Sequence, residues 1–80
     1  MRVEVRLYAT FAKYAPTQRA GDSFDVDLES EASLTSLISN LRIPEKEVHL
    51  AIVNGRPVHD RSKQLHANDR VALFPPVGGG

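Results

Sequence analysis

The chain is 80 residues long, about 41% apolar, and balances ten basic against ten acidic residues to a formal charge of zero. That length holds one modest core rather than two domains or a deep catalytic cleft, and the neutral balance offers no basic face for nucleic acid or anionic lipid. The absence of cysteine excludes a disulfide framework, a thiolate zinc site and a cysteine nucleophile, so any covalent chemistry must use another group.

Val3, Val5 and Leu7 alternate with Arg2, Glu4, Arg6 and Tyr8, the period-two signature of a half-buried strand over Arg2 to Ala9. This opening has no apolar stretch of signal-peptide length, and no later segment is long enough to span a bilayer, which predicts a cytoplasmic protein with no membrane partner. Thr10 is placed to cap a short helical turn carrying Phe11, Ala12, Tyr14 and Ala15, with Pro16 as its stop. After a turn at Gly21-Asp22, Phe24, Val26 and Leu28 alternate with Asp25, Asp27 and Glu29, which predicts a second strand in a long hairpin with the first. Ser33 is an N-cap for a helix whose Leu34, Leu37, Ile38 and Leu41 share one face, and Pro44 closes it.

Leu50-Ala51-Ile52-Val53 is a short apolar run of the kind found in a strand covered on one side. It leads into Asn54-Gly55, a pair suited to positive φ at both central positions of a tight hairpin, so Arg56-Pro57-Val58 should return as a strand, with Pro57 at a sheet edge. His59 to Asn68 reads as a loop, with room for one helical turn, and Arg70 to Phe74 alternates into a final strand. One main helix against about five strands predicts an α+β roll over residues 1–74.

Residues 75–80, Pro75-Pro76-Val77-Gly78-Gly79-Gly80, read differently. Two prolines end ladder donation and three glycines remove the side chains, so the tail is expected to leave the domain and reach about 20 Å if extended. On composition alone the glycines read as a frayed terminus. The Phe74-Pro75-Pro76 launch and glycine at each of the last three positions favour a thin tail built to carry the Gly80 carboxylate into a neighbour's active site.

The segment from Asp69 to Gly80, the opening Leu7-Tyr8-Ala9-Thr10-Phe11-Ala12-Lys13-Tyr14-Ala15 and the hairpin Val53-Asn54-Gly55-Arg56 together resemble the MoaD/ThiS family of ubiquitin-like sulfur carriers. Asn68-Asp69 stands where that family commonly has Gly-Asp, and Asn tolerates the left-handed geometry such a turn needs. The resemblance implies a β-grasp fold with the first and last strands side by side, and it is nearest to the molybdopterin synthase branch. It also implies that a MoeB/ThiF-like, ATP- and magnesium-dependent adenylyltransferase joins Gly80 to AMP, and that sulfur then converts the terminus to a thiocarboxylate. The acceptor would be a MoaE-like large subunit of molybdopterin synthase, with no cofactor bound by this chain and no catalytic acid or base on it. Relatives apply the same tail to thiamine, cysteine or transfer-RNA thiolation, and a ubiquitin-like modifier would pass Gly80 to a lysine amine.

Tyr8 should point away from the Val3, Val5 and Leu7 face, beside Phe74. The two rings form either a partner-binding hot spot or a partly covered sheet face. Arg56 and Arg70 are candidates for steering the tail, alongside Pro75, Pro76 and Val77 at the interface. Five acids from Asp22 to Glu31 stand without a base among them and suit either a docking patch or the wet face of an edge strand. His49, His59 and His66, even with Asp60 and Asp69, match no zinc spacing, and no metal site is expected.

Overall fold

The structure, a computed structural model, describes residues 1–76. Expectations for Val77, Gly78, Gly79 and Gly80 lie outside the described residues. Strands β1 (Arg2–Leu7), β2 (Ser23–Asp27), β3 (Leu50–Val53), β4 (Arg56–Pro57) and β5 (Arg70–Phe74) form one mixed sheet in the order β2-β1-β5-β3-β4. One α-helix, α1 (Leu34–Asn40), and two 3-10 turns, Ala9–Tyr14 and Glu45–Glu47, complete the elements. β1 and β5 run parallel at the centre, with Val5 opposite Val71 and Leu7 opposite Leu73. This is the β-grasp arrangement expected from the sequence. Parallel neighbours need a long crossover, and here the whole middle of the chain, helix included, supplies it.

Alternation in the central strands directs Val3, Val5, Leu7, Val71 and Leu73 to one face, where none is more than 1% exposed. Leu34, Leu37 and Ile38 of α1 cover that face, joined by Phe11, Val26, Ala51, Val53 and Leu65. Each fully buried aliphatic side chain contributes about 1.5–3 kcal/mol relative to its exposed state.

The helix begins as its sequence suggests. The Ser36 amide donates to the Ser33 Oγ at 3.2 Å, and the Ser33 amide donates to the Ser36 Oγ at 3.1 Å, a reciprocal cap with Ser in place of the usual Glu or Gln. Its end differs from expectation. The Ile43 amide reaches the Ile38 carbonyl at 3.2 Å and the Arg42 amide reaches that of Ser39 at 2.9 Å, with Arg42 at φ 64°. That pair of bonds is a Schellman stop, so α1 closes before Pro44 and Leu41 is its C-cap rather than an interior residue.

The 59–68 loop contains no helical turn; instead it is pinned to the start of α1. The Leu34 and Thr35 amides, which lack intrahelical partners in a first turn, donate to the Lys63 and Arg61 carbonyls at 3.0 and 2.9 Å. The Arg61 Nη2 donates to the Val48 carbonyl at 2.9 Å, and Leu65 fills the core at 1% exposure. The Asn54-Gly55 turn forms as its sequence demands, with φ of 52° and 82°.

Candidate functional site

Among the described residues, no helix lies on the face of the sheet opposite α1. β1 presents Glu4 and Arg6 there, with Tyr8 just beyond its end; β5 presents Arg70, Ala72 and Phe74, and β3 presents Leu50 and Ile52. Register makes these side chains neighbours: Leu50 lies opposite Phe74, Ile52 opposite Ala72, and Glu4 opposite Arg70. Pro57 of the edge strand extends the row beside Ile52. Leu50, Ile52, Ala72, Tyr8 and Phe74 are each half-buried, so the centre of this face is an apolar stripe with charge at its margin.

The Tyr8 and Phe74 rings stack with centroids 4.6 Å apart and planes 8° from parallel. Such a pair contributes about 0.5–1.5 kcal/mol beyond the area it buries. The backbone fixes both rings, because the Tyr8 amide donates to the Leu73 carbonyl at 3.3 Å and the His49 amide to the Phe74 carbonyl at 2.9 Å. Gly21 closes the other side of Tyr8. At φ 84°, it brings its Cα where an added Cβ would meet the Tyr8 Cε1 at 3.6 Å, and its carbonyl accepts from the Arg6 Nη1 at 3.2 Å.

The stack marks the root of the tail. Pro75 is buried against the domain and Pro76 is exposed. Of the residues singled out in the sequence, Tyr8, Phe74 and Pro75 meet at the C-terminal end of β5, while Arg70 lies at the other end of that strand, on the open face. Arg56 is not. It lies opposite Val53, a core-facing residue, and so projects to the helix side of the sheet, while Arg70 shares the open face with Glu4. The two arginines cannot act as one steering pair on a single face. Arg70 borders a depression of about 300 Å³ with Glu4, Arg6, Ile52 and Ala72.

Leu50, Ile52, Ala72 and Gly21 were not singled out in the sequence as parts of this site. For Leu50 and Ile52 the signal was present: in a strand covered on one side, alternate residues of an apolar run must face outward. Of the acidic stretch, Asp25 and Asp27 lie on the edge strand β2, as one of its two readings held, with Asp22, Glu29 and Glu31 flanking it, and Asp27 and Asp22 pair with Arg2 and Arg19 at 3.3 and 2.9 Å. Arg19 donating to the Asp22 carboxylate, with help from Thr17, holds that group below its ordinary value. Among the described residues, no group of three or more His, Asp or Glu side chains is placed to hold a metal ion, and no helix is long and apolar enough to cross a membrane.

Comparison with known proteins extends from this geometry. The ThiS family matches residues 5–80, from the middle of β1 through the final glycine. The chain belongs to the ThiS family. Its fold is that of solved relatives of this class. A Pyrococcus furiosus protein assigned as molybdopterin converting factor subunit 1 is 27% identical, over 96% of this chain and 99% of its own, with a TM-score of 0.71. SAMP1 from Haloferax volcanii is 26% identical over the whole of both chains, also with a TM-score of 0.71. The complex of subunits 1 and 2 of the molybdopterin-converting factor from Helicobacter pylori contains a chain 25% identical over the full length of both, with a TM-score of 0.62. No curated protein sequence matches the chain. As a ThiS-family chain it is a small ubiquitin-like protein of a carrier family.

Proposed function

We propose that this chain is a sulfur carrier, with the Gly80 carboxylate as its working group, serving as the small subunit of molybdopterin synthase in the cytoplasm. The observation that carries the proposal is the family match running unbroken to Gly80, on a chain whose β5 delivers Phe74, Pro75 and Pro76 to the edge of an uncovered apolar face. Residues 1–74 are the recognition body and residues 75–80 the delivery arm.

The chemistry follows from the terminal group. A carboxylate is an anion at neutral pH and resists nucleophiles. Its oxygen attacks the α-phosphorus of ATP on a MoeB/ThiF-like partner that supplies the magnesium, pyrophosphate leaves, and an acyl-adenylate results. A persulfide sulfur then displaces AMP, and a thiol cuts the sulfur–sulfur bond to release the thiocarboxylate. This chain contributes no acid, base, metal or bound cofactor to these steps. Gly78, Gly79 and Gly80 keep the arm narrow enough for a tunnel that admits backbone alone. Tyr8, Phe74 and the neighbouring aliphatic stripe dock the body on the activating enzyme and on a MoaE-like large subunit in turn, with Arg70 at the margin.

The full-length likeness to SAMP1 from Haloferax volcanii favours a second reading, in which a lysine amine captures the same adenylate to give an isopeptide. Intact-mass measurement after incubation with ATP, the adenylyltransferase and a sulfur donor separates the two. Replacement of one oxygen by sulfur in the C-terminal peptide supports the carrier; lysine-linked adducts without it support the modifier. Deleting Gly80 should abolish either product and leave the melting temperature unchanged. A Gly80 deletion that is still activated defeats both readings.

A further inference from the structure

On the helix side of the sheet, at the edge formed by β4, the hairpin and the 59–68 loop enclose a depression of about 530 Å³. Arg56, His59, Lys63 and His66 line it, with Asp60 and Asp69. Both acids are already committed. The Asp69 carboxylate accepts from the Asn54 Nδ2 at 2.9 Å and from the His66 amide at 2.8 Å, and the Asp60 Oδ1 accepts from the amide and hydroxyl of Ser62. The cations are not: among the described residues neither Arg56 nor Lys63 has a carboxylate within 4.0 Å, although Asp60 attracts Lys63 across the loop.

One wall of the depression is tied to the sheet by hydrogen bonds. The Asn54 Oδ1 accepts from the Arg70 backbone amide at 2.9 Å while the Asn54 backbone amide donates to the Arg70 carbonyl at 2.8 Å, so Asn54 ties the hairpin turn to the start of β5 through side chain and backbone together. A preformed surface loses little entropy when it is occupied.

We propose that this depression is a second binding surface, which accepts an acidic segment of a partner protein. A guanidinium offers a carboxylate two parallel donors and an ammonium adds a point charge, while the Asp69 carboxylate is largely buried and held through both oxygens by internal donors. The chain's own acidic edge is a poorer occupant. Two of its five acids are paired with arginines, and joining β2 of one copy to β4 of the next would be a head-to-tail contact, not a self-complementary pair. Because the depression lies on the side of the sheet opposite Tyr8 and Phe74, a partner held here leaves the aromatic face open.

The test titrates isotope-labelled full-length protein with a short synthetic peptide of alternating Glu and Ser at low salt. Amide shifts should be confined to Arg56, His59, Lys63, His66 and their neighbours, and should fade as salt rises from about 50 to about 300 mM. Substituting R56Q and K63Q together should weaken binding at least about tenfold, since charged hydrogen bonds are lost. K13Q with K46Q, the same loss of charge at exposed positions elsewhere, should change it less than about twofold. Equal weakening by the two double variants, absence of shifts at low salt, or shifts that follow protein concentration without peptide would overturn the proposal.

Discussion

Leu73 and Phe74 are adjacent in β5 and face opposite worlds. Leu73 is fully enclosed in the core, whereas Phe74 lies half-buried on a face that no described element covers, stacked on Tyr8 at 4.6 Å. The same two central strands therefore serve two ends. Their helix side is filled by aliphatic side chains that hold the fold together, and their open side is an apolar stripe with a charged margin, suited to a partner that comes and goes. Burial decides between these roles more than residue type does, since both faces are apolar at their centres.

The comparison breaks most sharply at Leu73. Leu73→Ala leaves a cavity between β5 and α1 and should cost about 2–5 kcal/mol in denaturant unfolding, with activation at Gly80 lost only in proportion to the unfolded fraction. A cost below about 1 kcal/mol would mean that the helix side is not the organising core.

Replacing Tyr8 and Phe74 together by Ala should reverse that pattern. Stability should fall by about 1–2 kcal/mol, reflecting a stacked and half-exposed pair, while affinity for the adenylyltransferase or the large subunit should fall by more than about 1 kcal/mol. Calorimetry and binding titration on the same variant decide the matter. Unchanged affinity with a collapsed fold would assign both rings to the core.

The smallest effect is expected at exposed acids outside the central strands. Arg19 at Asp22, and the Ser62 hydroxyl and amide at Asp60, lower both carboxyl groups below 3.8. A value lowered by folding means that the unfolded chain takes up the proton first. The stabilisation is thus present above about 3.8 and is lost as pH falls through the lower folded value. Asp22→Asn and Asp60→Asn should each flatten slightly the acid limb of a stability profile and leave stability at neutral pH nearly unaltered. A steeper acid limb in either variant would contradict these hydrogen bonds.

Much of the architecture was written in local pattern. Period-two alternation around Val3, Val5 and Leu7 and around Val71 and Leu73, helical spacing of Leu34, Leu37 and Ile38, and the Asn54-Gly55 turn each reflect a preference of the backbone or of one apolar face, and such preferences act within a few residues. The stop at Arg42 was less legible, because a Schellman motif usually announces itself with glycine and here an arginine takes the left-handed position.

The sequence by itself determined the types of the main elements, the outward direction of Tyr8 and the run of glycines that follows Pro75 and Pro76. Only the tertiary structure decided which distant segments meet: Gly21 against Tyr8, Leu50 and Ile52 beside Phe74 and Ala72, the 59–68 loop over the first turn of α1, and Arg56 on the face opposite Arg70. The reason is physical. Which face a residue takes is set by the pleat of its own strand, but its neighbours across a sheet are set by register and strand order, and these are fixed only when the whole core closes.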